Sequence, residues 1–267
     1  MEAGARVETD PRVRRLDPAV IAGVMSREVA NFRTYWKGTA FSSTLEPIVY
    51  MLAFGLGLGA TLIDGVEGLS YVEFVGTGMV ATAVIFSSAL PAMFGTFVKE
   101  RFQNTYDAIL AAPVDVEELV TAEMLWIGCR ASVFGCFPLF VAFAFGLDPK
   151  AGMLLVPFFC FFTALGFAAF GISVAASVAK IDQFNYVTTL VITPLFLVAG
   201  TFFPIDQLPE GLQVAANVNP LYQLVELVRA SAFGFEAGDA LRFTGLVGFA
   251  VVLWRVAVSR MTKRLID

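Results

Sequence analysis

KERFQNTYDAILAAPVDVEELVTAE, residues 99–123, is a polar and partly amphipathic interlude between long apolar blocks. Within it Tyr106, Ile109 and Leu110 fall at i, i+3 and i+4, which predicts a short helix with one apolar stripe. Pro113 ends that helix. Asp115 stands three residues before Glu118, a capping-box-like start with Asp in place of Ser or Thr, so the next long apolar helix begins there. A short surface helix joined through a proline break to an apolar span is a handle on one face of a membrane, a piece that a soluble partner can push on.

Composition agrees with a membrane setting. Of 267 residues 57% are hydrophobic and only 15% charged, against roughly 25% charged in ordinary soluble domains. The mean hydropathy is +0.74. A net charge of −5, with no basic run carrying interleaved aromatics, argues against nucleic acid as a partner. Histidine is absent, which excludes an imidazole ligand, general base or proton relay, and with it rhomboid-like serine chemistry and zinc sites built on His. Cys129, Cys136 and Cys160 lie in apolar blocks, without CxxC or metal-ligand spacing, and read as core packing. The first 37 residues are polar and charged, so no cleavable signal peptide is expected.

Residues 1–16 mix arginines with acids and have no apolar period, the pattern of a mobile cytosolic tail. Asp17-Pro18 then reads as an N-cap with proline at the first helical position. Ile21, Met25, Val29, Phe32 and Trp36 recur at close to helical spacing, which predicts an amphipathic interfacial helix over 17–38 with Tyr35 and Trp36 at headgroup depth. Six apolar blocks follow, at about 40–63, 74–97, 120–145, 153–178, 186–203 and 243–258, and each approaches the roughly 20 residues needed to cross a bilayer. With the N-terminus inside, fourteen of the 18 Lys and Arg fall in cytoplasmic segments. The positive-inside rule therefore places both termini and the handle in the cytosol. The last outer loop, 204–242, holds apolar stretches 208–218 and 221–228 split by Asn219-Pro220, each too short to span. Two re-entrant helices would fit, because irregular backbone at membrane depth is tolerated where protein or a wet cavity covers it; a plain surface loop is the alternative. The fold class expected is thus all-α, an integral membrane domain of six transmembrane helices over 39–260, with an N-terminal interfacial helix, outer re-entrant helices and a short cytosolic tail over 261–267.

Two charges fall inside apolar blocks, where each costs about 2.5–3.5 kcal/mol near the centre of a lone helix. Glu46 lies some six residues into the first block and Arg130 some seven beyond Glu123, so their depths match at about 9–10 Å. They either share a wet cavity or ion pair at the cytoplasmic mouth of a pathway, or only fix helix packing. Gly55 and Gly59 form a GxxxG pair suited to close helix approach, and the glycine run lacks the Lys-Ser/Thr end of a phosphate loop. Glu226 and Arg229, at i, i+3, read as a local salt bridge or an exit-site pair. No nucleotide-binding motif occurs, so the chain cannot hydrolyse ATP itself, and active transport would need a gradient or a partner.

Three separated motifs carry a family resemblance: LEPIVYMLAFGLGLG at 45–59, FVKERFQNTYDAILAAPVDVEELV at 97–120, and AGTFFPIDQLPEGLQVAANVNPLYQLVELVRA at 199–230. Together they resemble the membrane subunit of type-2 ABC exporters, and the first resembles the nodulation-factor exporter permeases in particular. The resemblance implies that 105–116 is a coupling helix, with Tyr106, Ile109, Leu110, Ala112, Pro113 and Asp115 engaging a separate ATPase. It also implies outer re-entrant helices over 204–229, with Pro204, Pro209, Asn219, Pro220, Glu226 and Arg229 matching the pattern there. The implied assembly in the cytoplasmic membrane is two copies of this chain with two ATPase chains, ATP and Mg residing on the latter and none in this chain, and an amphiphile moving between the permease copies. The rival is a gradient-driven secondary carrier, which predicts an inverted repeat and ionisable groups at mid-membrane; no clear repeat is present.

Overall fold

The computed structural model describes residues 16–56 and 69–266, with the side chains of Ser42, Thr44, Glu46, Pro47 and residues 54–56 outside that description. Among the described residues the chain is all helical. Helix α1 (Pro18–Tyr50) starts where the Asp17 carboxylate accepts the Ala19 N–H at 2.8 Å. It runs without a break through position 38 and continues as one wider, π-helical stretch, Met51–Leu56. No proline lies between Ala19 and Glu46, and Gly38 alone costs a helix only about 1 kcal/mol. The boundary expected near 38–40 is therefore absent, and the residues expected to form an interfacial helix and a first span form one rod. Its apolar stripe covers protein: the Phe32 ring meets Trp126 at 5.6 Å and Phe134 at 6.0 Å, both edge-on.

The handle end of the molecule comes next. Helix α2 (Tyr71–Arg101) opens with a complete capping box, Ser70 with Glu73, and contains Pro91. After a left-handed Asn104, φ 48°, the short α3 (Thr105–Leu110) turns across the end of the bundle. Helix α4 (Val116–Gly135) begins with the Asp115–Glu118 capping box expected from the sequence, and α5 (Phe137–Ala144) extends it past Pro138. Then follow α6 (Val156–Ser177), α7 (Gln183–Val187), a π-helical segment Thr188–Ile192, α8 (Thr193–Leu197), α9 (Glu210–Val218), α10 (Pro220–Phe233) and α11 (Ala237–Leu265).

Four helical stretches are long and apolar enough to cross a membrane: Tyr71–Arg101, Val116–Ala144, Ala151–Ser177 and Ala237–Leu265. The chain is a multi-pass membrane protein. Six such spans are not present among the described residues. The first expected block runs into undescribed residues at 57, where Gly57 and Gly59 also lie. The fifth is cut short: α7, the π-helical segment and α8 give about 15 helical residues, roughly 22 Å, before the chain turns at Gly200 with φ 71°. Pro194 explains the wide turn before it, since it cannot donate to the carbonyl one turn back and the ladder shifts register.

Helix α6 is central, packed by α2, α4, α10 and α11. Between membrane helices, where lipid is as apolar as the side chains, close backbone approach and hydrogen bonds supply the packing energy. Gly171 makes that approach possible: a Cβ there would stand 2.6 Å from the Ala89 carbonyl oxygen of α2. Asn219-Pro220 splits the outer segment as expected. The Asn219 side chain accepts from Leu221 N–H at 3.0 Å and donates to the carbonyls of Leu195 and Val198 at 2.7 and 3.2 Å, pinning the corner to the end of α8. Beyond it, α10 buries Leu224, Val225, Leu227 and Val228 within the bundle, while α9 leaves Leu212, Val214 and Val218 exposed.

Candidate functional site

At the handle end, four elements meet on one buried polar cluster. Lys99, near the end of α2, places its ammonium 3.0 Å from Glu28 of α1 and 2.8 Å from Glu123 of α4. Both carboxylates are buried. The second oxygen of Glu123 accepts a short hydrogen bond from the Tyr106 hydroxyl of α3 and a longer one, 3.4 Å, from Thr96. Arg27 closes the set, 3.0 Å from Glu28 and 3.4 Å from the Thr105 hydroxyl. Each acid thus has a base, and α3 is joined through one tyrosine to three helices. Burial and the adjacent Glu123 carboxylate push the Tyr106 hydroxyl well above its ordinary value, so it stays a neutral donor at any physiological pH.

Further ties act at the same end. The Glu118 carboxylate accepts the backbone N–H of Asp115 at 2.9 Å and that of Asp17 at 3.0 Å, so one side chain serves the starts of α4 and α1. At the end of α11, Arg264 pairs with Glu100 at 2.8 Å and Arg260 donates to Ser177 at 2.8 Å. Trp254 donates to Thr121 at 2.9 Å. The handle is therefore built into the bundle and is no loose loop.

This arrangement sorts the expected handle residues by face. Tyr106 is fully buried, and Ile109 and Leu110 pack on the apolar cluster containing Leu119 and Val120, so the predicted stripe faces inward. Asp107, Ala108, Ala111, Ala112 and Pro113 are exposed, with Phe102 beside them 69% exposed. Asp115 is half-buried as the α4 cap. Glu28, Lys99 and Glu123 went unread in the sequence. Glu123 falls within the third apolar block, a signal of the same kind that singled out Arg130.

Arg130 lies farther along α4, half-buried, and donates to the Ser87 carbonyl of α2 at 3.3 Å. It lines a cavity of about 530 Å³ between α1, α2 and α4, together with Tyr35, Ser43 and Phe134. Its expected partner Glu46 has a side chain outside the described residues.

At the opposite end, Arg229 of α10 donates to the Gly200 carbonyl at 2.8 Å and to the Phe74 carbonyl at 3.5 Å, with its guanidinium 3.9 Å from the Phe74 ring centre. The Glu226–Arg229 pair forms at 3.4 Å, and Arg242 joins it, 3.2 Å from Glu226 and 2.9 Å from Asp239. A pocket of about 370 Å³ opens on this cluster. Of the remaining residues expected there, Pro204 and Asn219 are buried, Pro220 is half-buried and starts α10, and Pro209 is exposed ahead of α9. Among the described residues no group of His, Cys, Asp and Glu could hold a metal ion.

Comparison with known proteins gives this geometry a setting. Residues 20–233 match the family model described as ABC-2 type transporter. The chain is 31% identical over 236 residues to Nodulation protein J of Rhizobium leguminosarum bv. trifolii, covering 86% of this chain and 90% of that protein. Nodulation protein J of Rhizobium meliloti (strain 1021) is 31% identical over 235 residues, covering 86% and 89%. Inner membrane transport permease YadH of Escherichia coli (strain K12) is 23% identical over 246 residues, covering 88% and 93%.

Proposed function

We propose, since this chain belongs to the ABC-2 type transporter family, that it is the permease subunit of an ATP-driven exporter moving an amphiphile out across the cytoplasmic membrane. ATP and Mg are held by a separate ATPase, two copies of which act on two copies of this chain. The substrate moves between the permease copies. Both termini and the handle face the cytosol, in line with the distribution of Lys and Arg. A relative named as an inner membrane transport permease supports the choice of the cytoplasmic membrane.

The observation that carries this reading is the two-sided handle. Its outer face presents small residues, Ala108, Ala111 and Ala112, which suit insertion into a groove on a soluble partner. Its inner face is bonded through Tyr106 to Glu123, and from there through Lys99 to Glu28. A push on the outer face thus arrives at α1, α2 and α4 together. In this reading 105–116 is the coupling helix, and 204–229 forms an outer re-entrant gate held by Asn219 and by Arg229 on the Gly200 carbonyl. Glu46 and Arg130 lie along the pathway.

The test is ATP hydrolysis by a candidate partner ABC ATPase from the same organism, purified with this chain and reconstituted. Ala108→Trp or Ala112→Trp on the exposed face should abolish binding or stimulation while the chain stays folded. If no ATPase binds the native chain, the reading fails and ion-gradient-driven uptake becomes the next measurement.

A further inference from the structure

Pro91 has no N–H, so the carbonyl of Ser87 one turn earlier lacks its helical donor. The Arg130 guanidinium reaches across from α4 and fills that place at 3.3 Å. The proline in α2 therefore fixes where a cation stands. A guanidinium has five N–H donors in a planar fork, and the carbonyl takes one. Tyr35 lines the same cavity beside Arg130, and the Glu46 side chain lies outside the described residues.

The cavity onto which Arg130 opens is amphiphilic in its layout. Met79, Ala83, Phe86 and Phe134 supply apolar wall, and Thr39 and Ser43 line the α1 side. Its volume, about 530 Å³, lies within the roughly 300–1,000 Å³ of small-molecule sites. Its depth follows from helix rise: Arg130 is seven residues beyond Glu123 and Tyr35 seven beyond Glu28, so both stand about 10 Å above the buried ion pairs. Tyr35 and Trp36 are 43% and 48% exposed at that level, as aromatics at headgroup depth are. The cation thus stands on the handle side of the cavity, and the apolar wall of Met79, Ala83 and Phe86 runs from it toward the opposite end of α2.

We propose that this cavity binds a single-chain anionic amphiphile, its phosphate or carboxylate on Arg130 and its alkyl chain along Met79, Ala83 and Phe86. This deepens the exporter reading and rests on it, because it names the chemistry of what is carried. A guanidinium already withdrawn from bulk water at half-buried depth gains more from an anion than an exposed one does.

The experiment uses the full chain purified alone in a neutral maltoside detergent, so that a failure of ATPase coupling leaves the result readable. Binding of a fluorescent lysophosphatidic acid is measured, with unlabelled lysophosphatidic acid, lysophosphatidylcholine and inorganic phosphate as competitors. Lysophosphatidic acid should displace at least about tenfold more strongly than lysophosphatidylcholine, and inorganic phosphate should not displace, since both ends are needed. Arg130→Gln should weaken binding about tenfold or more, with Arg130→Lys between. Ala83→Phe, which fills the apolar wall and leaves the guanidinium in place, covers the case in which Arg130→Gln does not fold, and should abolish binding. Equal displacement by the two lysolipids, displacement by phosphate alone, or native binding by Ala83→Phe would each overturn the proposal.

Discussion

Replacing Lys99 with methionine keeps most of the side chain's volume and removes the cation shared by Glu28 and Glu123. Those carboxylates have side chains only 5% and 2% exposed, and each lies within 3.0 Å of the Lys99 ammonium. Removing one member of a buried ion pair typically costs about 3–5 kcal/mol, because the other charge stays buried and uncompensated. Arg27 remains beside Glu28, but it is 44% exposed and offsets less than about 1 kcal/mol. Glu123→Gln is milder: the amide oxygen still accepts from Tyr106, Lys99 keeps Glu28, and about 1–2 kcal/mol is lost. In the double variant no charge faces an empty site at Glu123, so about 2 kcal/mol of the summed cost should return. The assay is thermal unfolding in detergent, read beside stimulation of the partner ATPase. At about 2–4 °C per kcal/mol, Lys99→Met should lower the midpoint by roughly 6–20 °C. A Lys99→Met chain that melts within 2 °C of the native one, or a double variant with strictly additive losses, refutes the claim that this cluster holds the handle.

Other outcomes follow from the same structure. Tyr106→Phe should cost about 1–2 kcal/mol and uncouple the handle with little change in helix content, read as lost ATPase stimulation. Because the folded-state Tyr106 value is raised, its contribution is present below the unfolded value near 10 and fades only as pH rises through the folded one. The tyrosinate absorbance missing from Tyr106→Phe should therefore appear in the native chain only well above pH 10. Gly171→Ala places a methyl against the Ala89 carbonyl and should destabilise by about 1–3 kcal/mol, seen as a lower melting midpoint. Asn219→Leu removes a helix cap and two carbonyl contacts, and should cost about 1–3 kcal/mol and expose the corner before α10 to proteolysis.

What the sequence disclosed was local. The Asp115–Glu118 cap, the Asp17 cap and the Asn219-Pro220 break each depend on residues within one turn of each other, and all are present. The second, third, fourth and sixth apolar blocks are legible for the same reason, as continuous runs. The fifth block is helical only in pieces, because a proline one turn ahead changes hydrogen-bond register without changing hydropathy. The charge cluster was out of reach: Glu28, Lys99 and Glu123 sit on three helices, and only packing brings them to one point. Arg130 stood out as a charge in an apolar block, yet its acceptor is a backbone carbonyl, which no residue-type pattern marks.

Helix α1 has a mechanical property that follows from its length and its attachments. It is gripped near its start by Lys99 on Glu28 and by the Glu118 carboxylate on the Asp17 N–H, and at its far end Met51 packs among Tyr71 and Phe74. From Glu28 to Leu56 the rod extends about 40 Å. Turned about the gripped end by about 5°, its tip would sweep roughly 3–4 Å, comparable to the width of a methylene chain. Swung as one piece, the rod would turn a small tilt at the handle into a displacement of that size beyond its packing on Tyr71 and Phe74.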